Sequence, residues 1–289
     1  MEKIVCFDIG GTKIAKSVVE TDGQRYTFLE TVIINNPRNS KEIEEIILEY
    51  CKEADKIYQI KKIAISASKI IDQEKKKAVQ AKDVYGADEF SFGFLEKSNY
   101  EVKLENDGRC FALGEKFFGQ AKGKDCILAI TLGTDIGGGF LSNGQNYRGE
   151  HNSSLEISHI NFLCHERVEK WKDLSGGQAI QRKYLAKTGK SKTAEEIFSL
   201  ATEGEKEATE IIEKAEYYLG IGLANLVTIL DPGIIIVGGG ICDQKKYIEN
   251  IFKIAQENTF NKKADYLWRI SQLKERANLL GAASLYFFD

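Results

Sequence analysis

The chain has 289 residues, enough for two domains of ordinary size. Hydrophobic residues make up 43% and charged residues 29%, the profile of a globular protein and not of a disordered or membrane-embedded one. With 40 basic and 43 acidic residues the net charge is -3, which argues against a nucleic-acid-binding face, and no apolar run is long enough to span a bilayer.

Residues 3–10, KIVCFDIG, read as a buried strand closing on a glycine turn. Strands follow at 14–19 and 26–34, joined by an Asp22-Gly23 turn. Residues 41–54 switch to helical spacing, with Ile43, Ile46, Ile47, Tyr50, Cys51 and Ala54 on one stripe and Ser40 placed to cap it. A strand at 62–67 comes next. Another at 101–105 leads into an amphipathic helix over 109–118 that stops at Gly119. The second half opens the same way, with a strand at 126–132, a glycine turn and a strand near 139–142. A long segment, 145–204, interrupts the pattern. A helix over 205–230 is stopped by Asp231-Pro232-Gly233, and then come a buried strand at 234–237, a helix at 245–258, a strand at 266–270 and a last helix from Arg276.

The order β-β-β-α-β-α thus occurs twice. Two such units imply two three-layer domains flanking a ligand cleft. The expected division is 1–108 together with the C-terminal helix 276–289, and 109–275. Six cysteines at positions 6, 51, 110, 126, 164 and 242 show neither metal-finger nor redox spacing, and buried free thiols are expected. With no secretory leader ahead of the first strand, a cytoplasmic location is expected.

Four motifs carry chemistry. In DIGGTK a strand delivers Asp8, Gly10 and Gly11 let the backbone approach phosphate oxygens, and Thr12 and Lys13 add donors. An acid at a strand end suits a hydrated Mg²⁺ held through water. The competing reading is a plain hairpin turn. In LGTDIGGG, Gly133 and Thr134 are placed to donate to phosphates, with the same alternative. Gly238, Gly239 and Gly240, after the strand at 234–237, leave a side-chain-free surface for a base or ribose, or else a loose connection. In ENDG, Asn106 and Asp107 stand where a strand ends and a helix begins. Helix capping explains them, and so does catalysis, since a helix N-terminus favours an ionised carboxylate able to take a hydroxyl proton.

Taken together in this order, DIGGTK, ENDG, LGTDIGGG, LEISH (155–159), NLVTILDPGIIIVGGG (225–240) and LLGAA (279–283) resemble the ROK family of sugar kinases and regulators, from Asp8 to about Gly281. The resemblance implies an α/β actin-like ATPase (ribonuclease H-like) fold and transfer of the γ-phosphoryl group of ATP, with Mg²⁺, to a sugar hydroxyl. It implies Asp107 as the base and Asn106, Glu156 and His159 as the grip on sugar hydroxyls. A homodimer is expected at the level of the family. The implied partners are a sugar substrate and neither nucleic acid nor membrane.

Several positions depart from the family pattern. Its zinc site would fall on His159, Cys164 and His165, one ligand short of a structural set, so no zinc is expected and the chain looks similar to the β-glucoside kinases. The family's glutamate ahead of the segment LSGG is missing, and Trp171 stands near its place, either stacking on a sugar face or buried in the core. Ser68 and Lys69 replace a Pro-Gly turn, Leu155 and Ser158 replace glycines, and Asp135 puts an acid in the phosphate loop. Three readings follow: an active kinase, a sugar sensor that has lost catalysis, and an actin-like filament protein or chaperone ATPase that shares the fold, against which Asn106, Asp107, Glu156 and His159 favour a polyhydroxyl acceptor. The chain opens on its first strand without a helix-turn-helix head, which speaks against a DNA-binding repressor.

Overall fold

The computed structural model describes residues 1–164 and 166–288. In chain order the elements are β1 (Glu2–Ile9), β2 (Lys13–Thr21), β3 (Tyr26–Asn35), α1 (Ser40–Tyr58), β4 (Lys62–Ala67), β5 (Ile70–Asp72), β6 (Lys77–Val79), α2 (Lys82–Tyr85), β7 (Glu89–Ser91), α3 (Gly93–Lys97), β8 (Glu101–Asn106) and α4 (Asp107–Phe117). There follow β9 (Ile127–Leu132), β10 (Ile136–Ser142), β11 (Gln145–Asn146), β12 (Asn161–Cys164), β13 (Arg167–Lys170), α5 (Trp171–Ser175), α6 (Gly177–Thr188), α7 (Ala194–Thr202), α8 (Lys206–Leu230), β14 (Ile234–Gly238), α9 (Lys245–Asn258), β15 (Leu267–Ile270) and α10 (Arg276–Ser284).

Contacts divide the chain into two compact units. Unit 1 holds residues 1–125, 139–154 and 272–289, and unit 2 holds 126–138 and 155–271. The grouping differs from a cut after residue 108, because α4 belongs with unit 1. The reason is the close approach of α4 to α10. A Cβ on Gly281 would lie 1.7 Å from the carbonyl oxygen of Cys110, and one on Gly114 would lie 2.1 Å from that of Ala277. Only glycines let two helices meet this closely, which is the physical content of the LLGAA motif.

Unit 1 is built on a five-stranded sheet of order β3-β2-β1-β4-β8. Strands β1, β2 and β3 pair antiparallel, while β1, β4 and β8 run parallel. The parallel strands are continuous apolar runs, as burial on both faces requires; Val5, Phe7, Ile63 and Ile65 are fully buried. Helix α1 covers one face with Ile43, Ile47, Tyr50, Cys51 and Ala54, and Ile46 sits at the edge of that stripe. Its cap is Asn39 and not Ser40. The Asn39 side chain accepts from the N–H groups of Lys41 and Glu42, whereas the Ser40 hydroxyl donates to the carbonyl of Tyr85. The small sheet β5-β6-β7, with α2 and α3, fills the interval between β4 and β8, where the sequence offered no clear period.

In the second five-stranded sheet, of order β11-β10-β9-β14-β15, strand β14 runs parallel to β9 on one side and to β15 on the other. Helices α8 and α9 form as their apolar periodicity dictates. Asp231 takes the left-handed conformation that ends α8, and Pro232 prevents its continuation. The interval 145–204, a break in the sequence pattern, contains the hairpin β12–β13 and helices α5 to α7.

Candidate active site

The three parallel strands of unit 1 end side by side and deliver acids in adjacent rows. In register, Asp8 lies beside Ser66 and Ser66 beside Glu105; one residue on, Ile9, Ala67 and Asn106 align. The carboxylate Oδ1 of Asp8 accepts from Ser66 Oγ at 2.6 Å and from Asn278 Nδ2 at 3.1 Å. Burial nonetheless pushes the Asp8 carboxyl up to about 6; the two hydrogen bonds lower it, and the nearby charges of Asp107 and Glu275 add to the rise. Asp8 is a partly buried acid whose carboxylate accepts only from the neutral groups of Ser66 and Asn278 in the bonds above, the kind of donor a hydrated Mg²⁺ would use, so the residues fit the ion.

Asp107 opens α4. Its Oδ2 accepts from Ser68 Oγ at 2.6 Å and its Oδ1 from the N–H of Gly108 at 2.9 Å. Burial is the largest influence on this carboxyl and raises it, outweighing the Ser68 and Gly108 hydrogen bonds and the positive charge of Lys69. The helix terminus alone therefore does not set its ionisation. Asn106 is the true N-cap: its Oδ1 accepts from the N–H of Arg109, and its Nδ2 donates to the carbonyl of Lys69. Capping and proximity to the acids coexist in this pair. Behind them Glu105 is fully buried and receives Arg109, Arg148 and Gln73. The glycine loop between β1 and β2 closes with the N–H of Gly10 donating to the carbonyl of Lys13, and leaves Thr12 and Lys13 exposed.

Unit 2 carries the other two glycine segments. The carbonyls of Gly133 and Thr134 accept from the N–H groups of Gly177 and Gln178, the first residues of α6. A trans peptide points its C=O and the next N–H in opposite directions, so the N–H groups of Thr134 and Asp135 face away from that helix. A Cβ on Gly177 would lie 2.6 Å from the oxygen of Gly133, so glycine is required for this buttress. Gly238 is buried at the end of β14. Gly239, at φ +97°, would put a Cβ 2.3 Å from the Leu132 oxygen, and a Cβ on Gly240 would meet nothing within 4 Å. Gly239 is thus required by packing and by its backbone conformation, whereas no neighbouring group requires glycine at Gly240. Glu156 and His159 are exposed at the two ends of a single helical turn, with the N–H of His159 donating to the carbonyl of Glu156.

A family model described as the ROK family matches residues 4–287. The chain belongs to the ROK family. It is 28% identical to a glucokinase of Thermotoga maritima, over 98% of this chain and 96% of that protein. It is also 28% identical to a β-glucoside kinase of Listeria monocytogenes, over 97% and 96%. Among solved structures, a ROK family glucokinase from Streptomyces griseus in complex with glucose and AMPPNP superposes with a TM-score of 0.82 at 25% identity, covering 98% of this chain and 99% of that one. The fold is that of the actin-like ATPases.

Within this ROK chain the departures noted in the sequence resolve individually. Trp171 is fully buried, donates its indole N–H to the carbonyl of Tyr218 and packs where a Cβ on Gly222 would lie 2.1 Å from its ring. It is a core residue and stacks on no ligand. Asp135 turns its Oδ1 onto the N–H of Ile136, so its charge is held within its own loop. Lys69 at φ +90° and Leu155 at φ +62° keep the backbone conformation that glycine adopts freely, although neither is glycine. The thiol of Cys164 is a hydrogen-bond partner of Tyr218, and His165 lies outside the described residues. Among the described residues no group of three or more His, Cys, Asp or Glu is placed to hold a metal ion, and no helix is long and apolar enough to cross a membrane. Ser66, Ser68 and Asn278 were not among the expected site residues. The signal available was the polar SASK segment in an otherwise apolar strand end; Asn278 gave none.

Proposed function

We propose that this protein transfers the γ-phosphoryl group of ATP to a hydroxyl, O6, of a hexose, an amino sugar or a hexosyl glycoside. That it is an ATP-dependent carbohydrate kinase follows from the family and from likeness to kinases along the whole chain. The observation that supports the finer reading is Asp107. It is a carboxylate at the mouth of a helix, raised by burial and oriented by Ser68, with its neighbour Asn106 locked as the cap. A base with a raised pKa is a stronger proton acceptor, provided it is still ionised at working pH.

In this reading Asp107 takes the proton of the acceptor hydroxyl as that oxygen forms a bond to the γ-phosphorus. The bond from the γ-phosphorus to the β,γ-bridging oxygen breaks, ADP leaves, and Asp107 returns its proton to solvent. Asn106, Glu156 and His159 hold the other hydroxyls; each such contact discriminates, because a sugar lacking the hydroxyl leaves a polar group unpaired. Gly11, Thr12, Lys13 and Thr134 receive the phosphates, while Gly10 and Gly133, whose own N–H groups donate to the carbonyls of Lys13 and Asp135, shape the two loops, and Gly238, Gly239 and Gly240 receive the adenosine. Bound through Asp8, Mg²⁺ supplies neutralisation of the charge on the phosphates. Asp8 itself is aimed by Ser66 and Asn278.

The test is ADP release measured across a panel of hexoses, amino sugars and β-glucosides, with the phosphorylated position of the product read by NMR. Turnover with one of these classes, giving a 6-phosphate, is the expected result. Measurable ATP binding with silence toward every sugar would replace the kinase by a sensor.

A further inference from the structure

On the kinase reading above, we infer that Asn36 is a positioning residue for the nucleotide phosphates, acting by turning the peptide groups of the Gly10–Lys13 loop. Asn36 directly follows β3, is 9% exposed and makes four hydrogen bonds. Its Nδ2 donates to the carbonyl of Gly10 at 2.7 Å and to that of Val84 at 3.1 Å. Its backbone N–H donates to the carbonyl of Thr12 at 2.9 Å, and its Oδ1 accepts from the N–H of Arg38 at 2.8 Å. Arg38, two residues on, donates its Nε to the carbonyl of Gly11 at 2.9 Å. Three consecutive loop carbonyls are therefore drawn to one short segment.

The consequence follows from peptide geometry. Each trans peptide directs its C=O and its N–H oppositely, so anchoring the Gly10 oxygen turns the N–H of Gly11 away from Asn36. Anchoring the Gly11 oxygen likewise turns away the N–H of Thr12. A glycine-rich loop left to itself samples many peptide orientations; this one has the Gly11 and Thr12 N–H groups turned away from the groups that hold the adjoining carbonyls, an arrangement suited to phosphate oxygens. The second Nδ2 bond, to Val84, ties the same amide to α2 and so fixes the loop against a solid element. A hairpin held only for stability needs the backbone bond from Asn36 to Thr12. It does not need a buried carboxamide that spends both of its hydrogens on carbonyls.

The experiment compares equilibrium binding of ATP and of adenosine to the wild type, Asn36→Ala and Asn36→Asp. The aspartate keeps the shape and the acceptor and loses both donors. Adenosine carries no phosphate and is the internal control. The expected result is a loss of ATP affinity of roughly 10- to 100-fold in both variants, from weakening one or two charge-assisted hydrogen bonds, with adenosine and sugar affinity unchanged. In steady state KM for ATP rises and KM for the sugar does not. Equal loss for ATP and adenosine, or no loss in a folded variant, overturns the role of Asn36 and leaves the kinase reading standing. A wild type that binds no ATP overturns both. Should the variants fail to fold, the wild-type amide spectrum decides. The Gly11 and Thr12 N–H resonances are expected to shift with a non-hydrolysable ATP analogue and not with adenosine, and an absence of that difference refutes the inference.

Discussion

Asp8→Asn separates what stabilises this fold from what its chemistry requires. Burial raises the Asp8 carboxyl from 3.8 to about 6, so the folded chain holds this proton more tightly than the unfolded chain does. Its contribution to stability is therefore fully present below pH 3.8 and is lost as pH rises through about 6. A shift of about two pKa units corresponds to about 3 kcal/mol against the ionised form, as an upper figure. Asparagine is uncharged and keeps an oxygen in place to accept from Ser66 and Asn278. In chelator, Asp8→Asn is expected to be about 1–3 kcal/mol more stable than wild type at pH 8, and nearly equal to it at pH 4. Urea unfolding at the two pH values measures both differences, and unshared titrations cancel between the two proteins. On the proposed reading turnover should fall about 10²-fold or more, because the acid proposed to hold the ion is gone. An asparagine variant less stable than wild type at pH 8, or a difference that does not shrink on acidification, would refute the account of Asp8 as an acid whose ionised form desolvation disfavours.

Asp107→Ala should lower kcat by about 10²–10⁴ while the ATP dissociation constant, measured calorimetrically, changes little. Ser68→Ala removes a hydrogen bond that lowers the Asp107 carboxyl, so the acid limb of the kcat/KM profile should move to higher pH; a profile unmoved by the change would disconnect Ser68 from the base. Gly177→Ala presses a methyl onto the Gly133 carbonyl and should raise KM for ATP without altering sugar binding, as initial-rate kinetics will report. Trp171→Ala empties a fully buried site and should cost about 3–5 kcal/mol of stability in denaturant. A folded Trp171 variant that lost sugar binding alone would restore the stacking reading that the structure has set aside.

Periodicity located most of the strands and long helices, because apolar spacing is a direct image of which side of an element is buried. Helix α9 emerged at 245–258 and α8 one residue from its expected start. The intervals 68–100 and 145–204 stayed opaque: their strands β5, β6 and β7 have three residues each and β12 and β13 four, too short for a period to show, although 145–204 also holds the longer helices α6 and α7. The cap of α1 fell to Asn39 because Ser40 found the Tyr85 carbonyl, a partner 45 residues away. The site shows the same limit. Asp8, Asp107 and the glycines stood out since each belongs to a local motif. Ser66, Asn278 and Asn36 did not, since each acts on a group 26 to 270 residues distant.

By itself the amino-acid sequence determined the order of the longer strands and helices outside two intervals, the family and which side chains are acids at strand ends. Those properties depend on neighbours along the chain. Only the tertiary structure decided that Asp8 is an acid held at about 6, that Trp171 is core, and that the glycine loop after β1 has its carbonyls turned onto Asn36 and Arg38. Ionisation, burial and peptide orientation depend on what surrounds a group in space, and folding brings those surroundings from remote parts of the chain.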